Sequence, residues 1–190
     1  VHNKMQAGSK TGSWFAARMS QQMSVEKDAQ LTCNSALLVD ARVVLLQIRG
    51  LYKLEQRAKS IAAKNIVICF VLASKGNCRS RSVLGTDMVI QSVLQHAEAK
   101  GRPVSKEEHL GLRGCVVGVY EMRRLYSWRE ARAYSGVPQT AIVGMSDYWG
   151  ITKVHVLKQP LPYTHRCGGP YTWAPLPLSV IQECLARVEK

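Results

Sequence analysis

The apolar residues of the chain are concentrated in short runs that predict strands. Runs rich in β-branched and aliphatic residues, bounded by glycine, proline or polar turn residues, are typical of buried strands. Gly118 lies inside one such run, where a glycine indicates a bulge or the close approach of another backbone. Five strands are predicted in this way, at residues 41–48, 65–73, 115–122, 140–145 and 148–157.

Other segments have apolar residues at the spacing of a helix. Ser127, followed three positions later by Glu130, adds a capping signature that predicts the start of a helix. Four helices are predicted, the first of them short or a single helical turn, at residues 52–63, 84–100, 127–134 and 178–188. Two segments that contain proline and glycine are interpreted as loops, 101–114 and 158–177.

This mixture of elements indicates an α+β protein with a small curled sheet or barrel under helical cover. The chain has 190 residues, which suits one domain with additions. Residues 1–35 are interpreted as a basic N-terminal extension. Within them, residues 1–24 hold three cations and no acid. That composition resembles the end of an organelle transit segment, and an extension lying on the protein surface is the alternative.

Net charge is the first property that bears on function. Twenty-six Lys and Arg oppose thirteen Asp and Glu, which gives a net charge of +13. Such an excess favours polyanionic partners, because each cation near a phosphate releases condensed counterions. The cations are spread along the chain, as expected for a folded surface that lies against nucleic acid. A basic surface without a partner is the alternative. No apolar run reaches the roughly 18 residues of a membrane span, so no membrane partner is predicted.

The six cysteines include no CxxC pair, and no histidine stands at a zinc-finger spacing from two of them. No metal site is therefore predicted. The cysteines are interpreted as thiols in a reducing compartment, with disulfides as the alternative. No cofactor is predicted, because phosphate-loop and nucleophile motifs are absent from the sequence. We expect an intracellular protein; the acid-poor start favours the mitochondrion, with the cytoplasm or nucleus as alternatives.

The stretch GLYKLEQR, residues 50–57, resembles a known motif. Gly50, Glu55 and Arg57 stand where the ASCH domain family has them in its pattern Gly-x-Lys-x-x-Glu-x-Arg. The segments GCVVGVYEMRRL, YWGITKVHVLKQPLP and GGPYTWAPLP agree with that family in order and spacing. The resemblance implies a PUA-like small mixed β-barrel with helices packed around it and N- and C-terminal extensions. The motif is expected to follow a strand and to enter a helix.

The resemblance also divides the chain. It covers the central part, and the last residues are expected to form an amphipathic helix packed on the domain. The three parts are the N-terminal extension, the ASCH/PUA-like domain and the C-terminal helix, at residues 1–35, 36–178 and 179–190.

Catalysis is a second expectation that the resemblance raises. Some small ASCH-type proteins are amidohydrolases that act on acetylated cytidine with a lysine and a carboxylate. Here Tyr52 occupies the lysine position and Lys53 is displaced by one residue, which on a helix is a rotation of about 100°. A non-enzymatic protein is therefore predicted. In the alternative, a nucleoside amidohydrolase or base-modifying enzyme, Lys53 and Glu55 are the catalytic candidates.

RNA-binding residues are predicted first along the motif itself, at Gly50, Tyr52, Lys53, Glu55 and Arg57. They are expected to line a cleft that holds a nucleotide or loop, with Glu55 at a base edge and Arg57 at a phosphate. The alternative is that Glu55 and Arg57 pair with each other or with neighbours and brace the start of the helix.

A second group of candidates follows the strand predicted at residues 65–73. Ser74, Lys75, Arg79 and Arg81 form a cationic loop suited to phosphate contacts. A solvated loop without a partner is the alternative.

A third group combines cations with aromatic residues. Arg123, Arg124 and Arg129 alternate with Tyr126 and Trp128, a pattern that suits stacking on unpaired bases. The alternative is that Tyr126 and Trp128 anchor the helix to the core while the arginines face outward.

Together these features predict a non-enzymatic RNA-binding module. Its expected partners are structured RNA, such as ribosomal RNA, and other proteins of a larger ribonucleoprotein, for example an organellar ribosome. The alternatives are the amidohydrolase and a protein-interaction adaptor whose basic surface meets an acidic partner.

Overall fold

The computed structural model describes residues 27–74, 86–144, 146–165 and 172–188. In these residues six strands form one curled half-barrel sheet, accompanied by five α-helices, so the predicted α+β class with a small barrel-like sheet is confirmed. The strands are β1 (Ala29–Asp40), β2 (Leu54–Arg57), β3 (Ile66–Ser74), β4 (Cys115–Leu125), β5 (Asp147–Pro162) and β6 (Trp173–Pro175). The helices are α1 (Ala41–Ile48), α2 (Thr86–Ala99), α3 (Lys106–Leu112), α4 (Trp128–Ser135) and α5 (Leu178–Val188).

The order of the strands across the sheet is β2-β5-β4-β3-β1-β6. The pair β1–β3 is parallel, and the other neighbouring pairs are antiparallel. Chain order and sheet order differ most for β2, which is second in the sequence but lies at one edge of the sheet beside β5. The position of β2 therefore depends on a pairing between distant parts of the chain.

Apolar residues cover both faces of the sheet. One face packs against α5 through Ile181, Cys184 and Leu185, which confirms the amphipathic helix predicted at the end of the chain. The opposite face packs against Ala41 and Val44 of α1, and we call it the α1 face. A third apolar cluster joins α1, α2 and α4 beside β2.

Residues 41–48 form helix α1, so the strand predicted there is wrong. The Asp40 carboxylate caps the helix by accepting the backbone N–H of Arg42 at 2.9 Å. Gly50 follows the helix end with a φ of 67°, a left-handed conformation that glycine adopts without steric cost. A nearly continuous apolar run fits a buried helix as well as a buried strand, because it shows no period that separates the two.

Residues 52–63 do not form the predicted short helix either. Strand β2 lies there and pairs with β5, with Leu54 opposite Gly150 and Glu55 opposite Trp149. The sequence LEQR is made of residues that favour helices, and the long-range pairing overrides this preference. The family-like motif therefore follows a helix and enters a strand, contrary to the expected order.

The strand predicted at residues 140–145 is also wrong. Gln139–Ala141 form a 3₁₀ helix instead. The Gln56 side chain accepts the N–H of Val143 at 2.7 Å, so this backbone is paired with a side chain and not with a strand. Met145 lies outside the described residues.

Two segments interpreted as loops contain regular structure. The segment 101–114 includes α3, which begins at a capping box in which Ser105 and Glu108 bond each other's backbone N–H. The segment 158–177 includes the end of β5 and, after residues outside the described part of the chain, strand β6. Strand β6 forms because it pairs with β1 at the other edge of the sheet.

The remaining elements predicted from the sequence are confirmed, with ends that differ by a few residues: β3, β4, β5, α2, α4 and α5. The bulge predicted at Gly118 is confirmed as well, because the pairing of β4 with β5 shifts between Val116 and Gly118. A methyl group on Gly118 would collide with the carbonyl oxygen of His155. Glycine is therefore required by a close approach of two strands.

Strand β1 begins at Ala29, within the segment 1–35 that the sequence pattern assigns to an extension. Its first residues pair with β3, with Ala29 opposite Ile66. The sheet thus includes part of that segment, and residues 1–26 lie outside the described residues.

Candidate functional site

A carboxylate, an indole and a guanidinium lie in one row across three strands on the α1 face. Glu55 of β2 is opposite Trp149 of β5, and Trp149 is in turn opposite Arg124 of β4. Residues directly opposite each other project to the same side of a sheet. Trp149 is fully buried, and the Arg124 guanidinium carbon lies 5.0 Å from the centre of its indole ring. The row therefore offers a carboxylate and a guanidinium on either side of an aromatic ring.

The Glu55 carboxylate is held by two side chains. It is 6% exposed, and its oxygens accept hydrogen bonds from Nε of Arg57 at 2.6 Å and from Nε2 of Gln47 at 3.1 Å. Arg57 also donates through Nη2 to the carbonyl oxygen of Leu38 on β1. Glu55 and Arg57 thus pair with each other, one of the two alternatives expected, and the pairing compensates the charge of a buried acid.

Four buried polar atoms near this row make no hydrogen bond within the described part of the chain. They are Oε1 of Gln47, the hydroxyl of Tyr120, Nε1 of Trp149 and Nε of Arg124. A buried polar atom without a partner costs about 1–3 kcal/mol, so native proteins contain few of them. Trp149 and Arg124 belong to the row and Gln47 contacts Glu55, so these atoms are the feature of this face that points to a ligand.

A hydrogen bond, a strand pairing and an electrostatic effect relate Gln47, Trp149 and Tyr120 to Glu55. Gln47 donates to Glu55, and Trp149 is opposite Glu55 in the sheet. Tyr120 is fully buried; burial raises the pKa of its hydroxyl, and the charge of Glu55 raises it further. The Tyr120 hydroxyl therefore remains a neutral donor. The site combines donors from Tyr120, Trp149 and Arg124 with an acceptor from Gln47.

Tyr52, at the position of the family lysine, lies elsewhere. It is 3% exposed and belongs to the apolar cluster beside β2. Its hydroxyl accepts a hydrogen bond from Nε2 of Gln56 at 2.5 Å. Burial raises the pKa of Tyr52, so the phenol stays neutral. Lys53 is exposed. Its Cε would lie 3.9 Å from a methyl group placed on Gly50.

We predict that Tyr52→Lys lowers the free energy of unfolding by about 4 kcal/mol at pH ~7 and creates no hydrolase activity. Burial among apolar groups lowers the pKa of a lysine, so the folded variant binds fewer protons than its unfolded chain. The defect should therefore shrink as the pH rises to about 9. Urea unfolding at both pH values measures it, with Tyr52→Met as the uncharged control. An equal defect at both values, or hydrolysis of acetylated cytidine, would contradict the prediction.

The second predicted group of residues is only partly visible. Ser74 ends β3 and is half-buried. Lys75, Arg79 and Arg81 lie outside the described residues. The cationic loop stays a prediction.

The third predicted group is divided between two surfaces. Arg124 belongs to the Glu55 row and donates through Nη2 to Ser60 Oγ at 2.5 Å and to the Ala62 carbonyl at 2.7 Å. Arg123, its neighbour on β4, projects to the opposite side, because side chains alternate along a strand. Arg123 and Arg129 are both exposed.

Trp128 belongs to none of the three apolar clusters, so the described residues give no support to the alternative in which it anchors α4 to the core. Trp128 is 40% exposed, and the Arg129 guanidinium carbon lies 5.6 Å from the centre of its ring. Ala131 and Tyr134 hold the helix in place instead. Ala131 is fully buried, and the Tyr134 hydroxyl donates to the carbonyl oxygen of Ile151 at 2.7 Å.

Gln47, Tyr120 and Trp149 are site residues that the sequence pattern does not predict. Tyr120 and Trp149 lie in strands among apolar residues and look like ordinary core positions. Gln47 carries the one usable signal, because a glutamine inside the apolar run ARVVLLQI is a polar residue at a buried position.

Two buried cysteines have thiols whose environment disfavours the thiolate. Burial raises the pKa of Cys69, which lies on the α1 face, and raises the pKa of Cys184 to about 12. Both thiols therefore stay protonated near neutral pH.

A metal ion would need several ligating side chains close together. In the described ranges, histidine, cysteine and acidic side chains do not gather in any group of three that could hold one. None of the helices in the same ranges has the length and hydropathy that a membrane span requires.

The chain matches none of the protein families and none of the curated protein sequences with which it was compared. Its function is therefore inferred from the site.

Proposed function

We propose that this protein is a non-enzymatic RNA-binding module with an ASCH-type, PUA-like barrel, and that its α1 face holds an unpaired nucleotide beside Glu55. The observation that carries the proposal is the set of four buried polar atoms around that residue that have no partner among the described residues. The net charge of +13 supports RNA as the source of the nucleotide. Gly50, Glu55 and Arg57 in the register of the family motif, together with a curled mixed sheet, support the assignment of the barrel.

A nucleobase has the chemistry that these atoms need. Its edge presents donors and acceptors in one plane, and Trp149 Nε1, the Tyr120 hydroxyl and Gln47 Oε1 provide two donors and one acceptor. Its flat face suits an aromatic ring or a guanidinium plane. Arg57 is engaged by Glu55 and Leu38, so the phosphates are assigned to the exposed cations and not to Arg57.

The hydrolase alternative finds less support. Amide hydrolysis in that family uses a lysine beside the carboxylate, and the corresponding residue is Tyr52, a buried phenol bonded to Gln56. The Glu55 carboxylate is also engaged by Arg57 at 2.6 Å and by Gln47 at 3.1 Å, so its oxygens already have partners.

The proposal extends to the setting of the protein, a larger ribonucleoprotein such as an organellar ribosome. The cations, spread along the whole chain, support a surface that contacts structured RNA over a wide area. The mitochondrial location is part of this proposal and depends on the acid-poor start of the chain.

Tyr120→Phe tests the site by separating binding from stability. The change removes a buried hydroxyl that has no partner among the described residues, so the free energy of unfolding should stay the same or rise by about 1 kcal/mol. RNA affinity should fall about tenfold, because one base-edge hydrogen bond is removed. Binding to a pool of single-stranded RNA is measured at several salt concentrations, and stability by urea unfolding.

Tyr148→Phe is the matched control. Tyr148 is buried in the cluster beside β2, and its hydroxyl donates to the Val143 carbonyl at 2.6 Å. Its removal should cost about 1 kcal/mol of stability and leave RNA binding unchanged. No binding by the unaltered protein, or equal affinities of the Tyr120→Phe variant and the unaltered protein, would overturn the proposal. Retention of an acidic protein after nuclease treatment would favour the adaptor instead.

A further inference from the structure

We propose a second RNA contact on the other side of β4, where unpaired bases stack on an aromatic platform. The β4–α4 platform consists of Arg123, Tyr126, Trp128, Arg129 and Arg132. The inference rests on the proposed RNA-binding function but uses different residues and a different surface. Neither Tyr126 nor Trp128 belongs to any of the three apolar clusters.

The two aromatic side chains of the platform are more exposed to solvent than aromatic side chains in folded proteins usually are. Tyr126 is 69% exposed and Trp128 is 40% exposed, although aromatic residues are normally largely buried. They flank Ser127 and are two residues apart, so their Cα atoms are at most about 7 Å apart. Two neighbouring rings at a protein surface are the arrangement on which successive unpaired bases stack.

The backbone beneath these rings is well ordered by hydrogen bonds. The Glu130 carboxylate accepts the N–H of Tyr126 at 2.9 Å, and Ser127 Oγ accepts the N–H of Glu130 at 3.1 Å. Tyr134 fixes α4 against β5, because its ring packs over Gly150. The packing is so close that a methyl group placed on Gly150 would lie 2.8 Å from the ring. A rigid platform loses little conformational freedom on binding, which favours affinity.

The charges of the platform select a polyanion. Arg123, Arg129 and Arg132 are exposed, and none of the ion pairs between described residues involves them. Glu130 is the acid of this stretch, and its carboxylate is bonded to the Tyr126 backbone. These arginines lie beside exposed rings, which suits a single RNA strand. The arginines would contact its phosphates, and its bases would stack on the rings.

Single-stranded RNA fits better than a duplex, because bases inside a duplex are already stacked on each other. Trp128→Leu and Tyr126→Leu keep an apolar side chain and remove the ring. Each should weaken binding of a single-stranded oligouridine about tenfold, with little effect on an RNA duplex of the same length. Trp128→Phe keeps a ring and should bind nearly as well as the unaltered protein.

The arginines are tested through the salt dependence of the same binding. Arg129→Gln with Arg132→Gln should reduce the slope of log affinity against log salt by about 0.7 for each phosphate that the variant no longer neutralises. Lys100→Gln with Lys106→Gln removes the same charge at exposed positions on other parts of the surface and should leave the slope nearly unchanged.

The outcomes separate the two proposals. If the unaltered protein binds no RNA, the proposed function fails. If it binds RNA and loses affinity through Tyr120→Phe but not through the ring variants, the platform is refuted while the interior site stands. Equal losses for single strand and duplex would show a contact by charge alone and would also refute stacking. Ring variants that bind RNA normally but fail to bind an acidic protein would assign the platform to a protein partner and refute the RNA contact.

Discussion

Arg57→Met is expected to lower the free energy of unfolding by about 3–5 kcal/mol. The reason is the Glu55 carboxylate, which is 6% exposed and would be deprived of its bonded cation while remaining buried. The carbonyl oxygen of Leu38 would be deprived of its donor as well. Urea unfolding followed by circular dichroism gives the midpoint and slope from which the change is obtained.

The double variant Glu55→Leu with Arg57→Met is the control for this explanation. Removing both charges leaves no buried ion without a partner at this position, and such replacements are often neutral. Gln47 keeps a second acceptor, the Leu54 carbonyl at 2.9 Å. The double variant should therefore be more stable than Arg57→Met alone. If it is less stable, the pair contributes more than charge compensation, and the explanation is wrong.

Gly118→Ala is expected to cost about 3 kcal/mol or to prevent folding. A methyl group at this position would collide with the His155 carbonyl oxygen and lie 3.2 Å from Cα of Val156. Both obstacles are backbone atoms of β5, so no side-chain rotation relieves the contact. The bulge would have to open, and the pairing of β4 with β5 would weaken.

Gly111→Ala is the matched change that should have the opposite sign. Gly111 lies in α3, and a methyl group there would meet nothing within 4 Å. Alanine favours a helix by up to about 1 kcal/mol over glycine, so the free energy of unfolding should rise. A similar decrease of stability in both alanine variants would show that the strand contact at Gly118 is not the cause.

The elements that the sequence predicts correctly have a clear period or a clear cap. Helix α5 has its buried residues at helical spacing, and α4 begins at the Ser127 cap. Helix α1 could not be distinguished from a strand, because its run is nearly continuous in apolar residues. Strand β2 could not be predicted locally, since its four residues favour a helix and only β5 makes them a strand.

Some residues of the candidate site can be predicted from the sequence and others cannot. Glu55 and Arg57 are recognisable from the motif and from their charge. Tyr120 and Trp149 become site residues only through strand register, since a shift of one residue would turn them to the opposite face. The sequence contains no local signal for that register. Only the pairing of β2, β4 and β5 places a phenol, an indole and a carboxylate together.

The edge position of β2 also sets an order of events during protein synthesis. Leu54–Arg57 have β5 as their strand neighbour, and the opposing residues are 147–150. Pairings between distant segments form slowly, because a long loop must close first. While the nascent chain extends from β2 to β5, Glu55 has no Trp149 beside it. The row of Glu55, Trp149 and Arg124 therefore cannot form before β5 has been translated, so the proposed interior site is among the last parts of the fold to be completed.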